Sequence, residues 1–170
     1  MSLPEILQWL RRYPDVMIEL TGGEPLLQDN IYPLLDALLA EGRTVLIETN
    51  GSIRIDRIPI GVSVILDIKC PGSNMTDRMD WENINLLRSR KGKSCQDEVK
   101  FVLSSEQDYI WALAQIKEYQ LIELAPLLFS PVETSFEAAR LAELMLADQM
   151  PARLQLQLHR LIWPDQDRGV

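Results

Sequence analysis

Along this chain a short apolar run, a polar turn and a longer amphipathic segment follow one another in the same order several times, and this repetition restricts the fold more than any single residue. Strands separated by helices cannot pair as hairpins, so they imply parallel pairing in an open sheet or a partial barrel. Residues 3–13 read as a short amphipathic helix carrying Ile6, Leu7 and Leu10. A strand at 16–20 follows. Asp29 or Asn30 then caps a helix in which Ile31, Leu34, Leu35, Leu38 and Leu39 share one face, with Gly42 placed to end it. Strands at 44–48 and 62–69 come next, and the connection 52–59 between them is too short and too alternating for a crossover helix. Strands at 98–103 and 122–129 flank a helix at 106–119. Thr134 and Glu137 have capping-box spacing for a helix reaching Ala147. Beyond Pro151, residues 153–159 alternate strictly, with Gln155, Gln157 and His159 on the face opposite the leucines. No linker or repeat interrupts the pattern, so residues 1–170 read as one α/β domain, a partial barrel of parallel strands.

In parallel α/β folds, ligands collect at the carboxyl ends of the strands. The first such end is Thr21-Gly22-Gly23-Glu24-Pro25. Two glycines leave the backbone bare for close approach, and the carboxylate that follows would repel a phosphate, so the turn suits a ligand with a cationic amine. The next ends are 48–52, with Glu48 and Asn50 on one side, and 67–73, with Asp67 and Lys69 on one side. Facing inward, these make a mixed-charge pocket for a zwitterion and sugar hydroxyls; facing elsewhere, they are caps, turns and edge ion pairs. Ser104 and Ser105 read as N-caps of the helix after them.

The rest of the composition mainly excludes. A net charge of −8 argues against a nucleic-acid surface, and the basic stretch 88–93 reads as a solvated loop. No apolar run approaches the roughly 20 residues needed to span a bilayer, and no signal peptide opens the sequence, so a cytoplasmic protein is expected. Cys70 and Cys95 are the two cysteines, too few for a disulfide scaffold or a self-contained metal or iron–sulfur site. His159 is the one histidine, and no Ser/His/Asp spacing identifies a nucleophile or base. No metal-binding or catalytic residue is assigned.

Taken in order, 21–28, Glu48-Thr49-Asn50-Gly51-Ser52, Asp67-Ile68-Lys69-Cys70-Pro71 and 98–102 resemble a radical S-adenosylmethionine (SAM) enzyme. The segment around Phe129-Ser130-Pro131 and the closing Gln155-x-Gln157-x-His159-Arg160-x-x-Trp163-Pro164 is similar to one branch, the 7-carboxy-7-deazaguanine synthases of queuosine biosynthesis. The resemblance implies a [4Fe–4S] cluster that cleaves SAM reductively and Mg²⁺-assisted conversion of 6-carboxy-5,6,7,8-tetrahydropterin to 7-carboxy-7-deazaguanine, a lyase reaction. It also implies an electron donor such as flavodoxin and a homodimer. Carried over by position, Gly22, Gly23 and Glu24 contact the SAM methionyl amine, and Glu48 and Asn50 face the ribose. Lys69, Cys70 and Pro71 form a second SAM turn, and Ser130, Pro131 and Val132 a third. Thr21, His159 and Pro164 reach the pterin, with Pro164 followed by Asp165–Val170 rather than carrying a terminal carboxylate.

The family holds its cluster on a loop after its first strand, in Cys-x3-Cys-x2-Cys or a variant with a longer first gap, and neither is present in these residues. Because a cluster of this kind needs three converging thiolates, the expectation is a radical SAM core without its first strand and cluster loop. Such a chain is the later portion of a larger enzyme, inactive by itself, with an unpaired sheet edge near 16–20. Two other readings share the Gly-Gly-Glu-Pro and Asp-x-Lys elements: a glycyl-radical-enzyme activase, which acts on a protein partner, and a non-catalytic binding module derived from such an enzyme.

Overall fold

The computed structural model describes residues 1–93, 96–158 and 162–163. Its strands are β1 (Ile18–Leu20), β2 (Val45–Thr49), β3 (Ser63–Lys69), β4 (Glu98–Leu103), β5 (Leu127–Pro131) and β6 (Ala152–Leu154). They form one sheet in the order β1-β2-β3-β4-β5-β6, and every pair is parallel. The sheet does not close, so β1 and β6 are its edges, and the expected partial barrel is the architecture found. The helices are α1 (Leu3–Leu10), α2 (Ile31–Ala40), α3 (Glu82–Arg90), α4 (Glu106–Glu118), α5 (Leu121–Leu124) and α6 (Ala138–Ala147). No helix among the described residues is long and apolar enough to cross a membrane.

Strand alternation divides the sheet into two faces. Val45 and Ile47 of β2, Val64, Leu66 and Ile68 of β3, Val99, Phe101 and Leu103 of β4 and Phe129 of β5 are buried in one core with helix residues Leu35, Leu38, Tyr109, Ala112 and Leu141. Phe101, Phe129 and Tyr109 meet edge to face, with centroids 5.8 and 5.7 Å apart. Each such side chain removed from water contributes about 1.5–3 kcal/mol, which makes this face the source of most of the stability. The alternate residues, Glu19, Leu46, Glu48, Asp67, Lys69, Lys100 and Arg153, lie on the concave face.

Several sequence expectations need correction. The strand expected at 122–129 is a short helix followed by a strand, because Leu121 and Leu124 are buried at helical spacing and Gln120 takes a left-handed turn (φ 53°). The capping box at Thr134 and Glu137 does not form. Residues 132–136 instead make a turn in which Ser135 N and Phe136 N donate to Val132 O at 2.9 and 2.8 Å, and α6 starts after Glu137 without a side-chain cap. Of the alternating segment expected at 153–159, the described residues 153–158 are strand only through Leu154. Gln155 N still donates to Phe129 O at 2.8 Å, but the β5–β6 pairing ends at Phe129 and Leu154, and alternation without a partner does not make a strand. The basic stretch 88–93 is not a solvated loop throughout, since Arg88, Ser89 and Arg90 end α3 and Arg90 is 4% exposed. Its guanidinium reaches Asp97 at 2.9 Å, Ile58 O at 3.1 Å and Val62 O at 2.5 Å, a planar fork satisfying two carbonyls where the chain enters β3. The connection between β2 and β3 has no helix, as its length implies, and buries Ile55 and Ile58 instead.

Candidate functional site

β1 ends in a turn where Gly22 and Gly23 take φ values of 99° and 53°, a left-handed backbone that side chains with a Cβ resist. A Cβ at either position would meet nothing within 4 Å, so the bare backbone faces open space. Glu24 then turns inward. Its Oε1 accepts from Leu26 N at 3.0 Å, its Oε2 accepts from Asn50 N at 2.8 Å, and Thr49 Oγ1 lies 2.9 Å from each oxygen. Glu24 therefore ties the end of β1 to the end of β2, and much of the accepting capacity that the sequence argument gave to a ligand amine is spent within the protein.

Two further buried side chains do the same work around the rim. Asn83 of α3 donates to Gly51 O at 2.8 Å and Ile53 O at 3.0 Å and accepts from Ile55 N at 3.0 Å, which fixes the loop after β2. Asp108 of α4 accepts from Gly72 N at 2.8 Å and from Ser104 N at 2.9 Å, joining the turn after β3 to the end of β4. Ser105 is the N-cap of α4, accepting from Asp108 N at 3.2 Å, and Ser104 Oγ donates to Asp108 at 2.6 Å, so both serines sit at the helix start as expected.

Between these tied turns lies a cavity of about 390 Å³ whose wall includes Glu24, Asn50, Ser52 and Lys69 as polar groups and Leu27, Ile53 and Met75 as apolar ones. Arg78, on the one-turn helix Thr76–Arg78, completes it. Glu24, Asn50 and Lys69 are thus brought together. Glu48, expected beside them, stands outside the wall on the concave face, paired with Lys100 of β4 at 2.9 Å. Lys69 Nζ lies 2.5 Å from Asp67 Oδ2, while Asp67 Oδ1 is buried with no hydrogen-bond partner. Burial raises the Asp67 pKa above the usual carboxylate value, with Lys69 opposing the shift. Burial and the neighbouring Glu48 carboxylate also raise Glu19.

The remaining sequence candidates sit elsewhere. Thr21 is exposed beside the glycine turn, and Pro71 is exposed in the turn after β3. The Cys70 side chain is fully buried, with its thiol pushed far up by burial and by the Asp108 and Asp67 carboxylates, so any contact from this residue with a ligand runs through its backbone. Ser130 and Pro131 end β5 and Val132 follows it, all outside the cavity wall; Ser130 and Pro131 are buried and Val132 N donates to Leu103 O at 2.8 Å. His159, Pro164 and Cys95 lie outside the described residues. Sequence reasoning missed Met75, Arg78 and Asn83, which sit in a region without a clear period. It also missed Asp108, although Ser105-x-x-Asp108 has legible cap spacing.

These residues do not fit an iron–sulfur cluster. The sequence has two cysteines, one of them a buried thiol held protonated, and no group of three or more His, Cys, Asp or Glu side chains among the described residues could hold a metal ion. A SAM-sized zwitterion is different: open backbone at Gly22 and Gly23, cationic Lys69 and Arg78, and an apolar wall at Ile53 and Leu27 meet at one opening.

Comparison with known proteins separates the fold from the family. The crystal structure of QueE from Escherichia coli superposes with a TM-score of 0.62 at 24% identity, covering 92% of this chain and 64% of that one. Streptococcus suis SuiB bound to S-adenosylmethionine superposes at 0.63 with 16% identity, covering 96% of this chain and 44% of that one. Both share the parallel α/β partial-barrel fold. No family model matches the sequence. The 7-carboxy-7-deazaguanine synthase of Chlorobaculum tepidum is 38% identical over 170 residues, the whole of this chain and 76% of that protein. The chain belongs to the 7-carboxy-7-deazaguanine synthase family.

Proposed function

We propose that this protein acts in the radical SAM conversion of 6-carboxy-5,6,7,8-tetrahydropterin to 7-carboxy-7-deazaguanine, and that residues 1–170 supply its SAM- and substrate-facing surfaces but not its cluster. The observation that carries this reading is the cavity between the glycine turn and Lys69, together with the extent of the match to the synthase family. A reduced cluster, which these residues do not hold, would supply the electron for SAM cleavage, fed in turn by a one-electron donor such as flavodoxin. What these residues do is bind and orient. The Gly22-Gly23 backbone lies open to the methionyl group, Lys69 and Arg78 balance its carboxylate, and Asn50 reaches the ribose. Glu24 holds the first two turns in register, and Thr21 is the nearest exposed side chain for the pterin. Among the described residues no cluster of three or more His, Cys, Asp or Glu side chains offers Mg²⁺ a ligand set, so no role is assigned to it.

Two preparations test the reading. The 170-residue polypeptide, reconstituted anaerobically with iron and sulfide, is expected to hold no stoichiometric cluster and to cleave no SAM. Joined to the quarter of the Chlorobaculum synthase that it does not match, it is expected to turn over 6-carboxytetrahydropterin. Four irons per chain in the first preparation overturn the incomplete-site reading. A chimera that cleaves SAM but leaves the pterin untouched overturns the substrate.

A further inference from the structure

We propose that Asp108 is a positioning residue for SAM binding: by holding Gly72 and Ser104 together, it fixes the turn after β3 and therefore where Lys69 stands in the cavity wall. The proposal rests on the reading that this cavity takes SAM.

The Asp108 carboxylate is 2% exposed, and its two oxygens accept from Gly72 N (2.8 Å), Ser104 N (2.9 Å) and Ser104 Oγ (2.6 Å). Buried carboxylates are costly unless fully bonded, and each donor to a charged acceptor is stronger than its neutral equivalent. Here the donors come from the ends of two neighbouring strands rather than from one helix. Ser105-x-x-Asp108 has the spacing of a capping box, in which the carboxylate would reach back to the Ser105 backbone N–H. It is directed across to the next strand end.

The turn it holds is otherwise short and stiff. Lys69 is the last residue of β3, Pro71 fixes φ one residue beyond Cys70, and Ser73 Oγ donates to Cys70 O at 2.6 Å. Gly72 has no room for a side chain, because a Cβ there would overlap Ser104 Oγ and crowd the Asp108 carboxylate. The contact is thus specified from both sides: glycine is needed at 72 so that the backbone can approach, and a carboxylate at 108 receives it. Lys69 is held on one side by the β4 ladder and on the other by this contact, which leaves it little freedom other than its own side-chain rotation toward Asp67 or toward the cavity.

The test is the affinity of the 170-residue protein for SAM, followed by amide NMR signals at a temperature well below the melting point of each variant. Asp108→Ala and Gly72→Ala are each expected to weaken binding about tenfold, the order expected for one charge-assisted hydrogen bond. The double variant is expected to lose little more than either single one, because both remove the same contact. Leu141→Ala, in the α6 core, is expected to lower the melting temperature and leave affinity unchanged. Wild-type affinity in Asp108→Ala, additive losses in the double variant, or an equal loss in Leu141→Ala each overturn the proposal. Failure of the wild-type protein to bind SAM at millimolar concentration overturns the cavity assignment itself, and the positioning role with it.

Discussion

The two faces of the sheet are built from alternate residues of the same strands, yet they differ in almost every property. On the helix side, Ile47, Leu66, Phe101 and Phe129 are fully buried within the hydrophobic core. On the concave side, Glu48 pairs with Lys100 and Arg153 with Glu98 across strands, and Asp67 pairs with Lys69 along β3. The contrast shows how stability and ligand chemistry are divided by a period of two. A residue can be moved from one task to the other only by shifting the register, which would invert the whole strand. The rim at the carboxyl ends is where the two meet, and there three buried polar side chains, Glu24, Asn83 and Asp108, replace apolar packing.

This division can be broken on the helix side first. Phe101→Ala removes a fully buried ring from the cluster with Phe129 and is expected to cost about 3–5 kcal/mol of stability. Chemical denaturation measures the loss, and SAM affinity per folded molecule should not change. A fall in affinity beyond the unfolded fraction would show that the faces are not independent.

The second break is on the concave side. Lys69→Ala is expected to weaken SAM binding about 10- to 100-fold, as for lost hydrogen bonds to a charged group. Melting temperature should fall little, because Asp67, left without its partner, takes up a proton more readily. A large stability loss with unchanged affinity would return Lys69 to a scaffold role.

The smallest effect sharpens the comparison through pH. Asp67 holds its proton to higher pH when folded than the 3.8 of the free side chain. As pH rises above that value, the unfolded chain releases the proton before the native one does, so stability falls across the window up to the raised native pKa and is level beyond it. Asp67→Asn is expected to abolish that fall, seen as a wild-type-minus-variant difference in melting temperature that shrinks toward acid pH. A difference that is flat with pH would place the titration elsewhere.

Much of this architecture was legible in the residues. The repeated order of elements gave the parallel sheet, and β4 falls at 98–103 as its alternation implies. The strand-end positions Glu24, Asn50 and Lys69 converge because strand ends in such a sheet have nowhere else to go. What could not be read was set by contacts distant in sequence. Arg90 looks like one charge in a basic run until Asp97 and two carbonyls close around it. Glu24 looks available to a ligand until Thr49 and Asn50, 25 and 26 residues away, claim its oxygens. The closing alternation has the period of a strand, but among its described residues, 153–158, pairing with β5 ends at Leu154.

The strand order has a consequence for how such a molecule comes into being. Each strand lies beside the one made just before it, from β1 to β6. No pairing therefore requires the closure of a long loop over an intervening strand, which keeps the entropic cost of each addition small. During synthesis every emerging strand finds its partner already made, so the sheet can grow by accretion from the amino end, row by row. Exposed backbone is then confined at each moment to the fixed β1 edge and a single advancing margin.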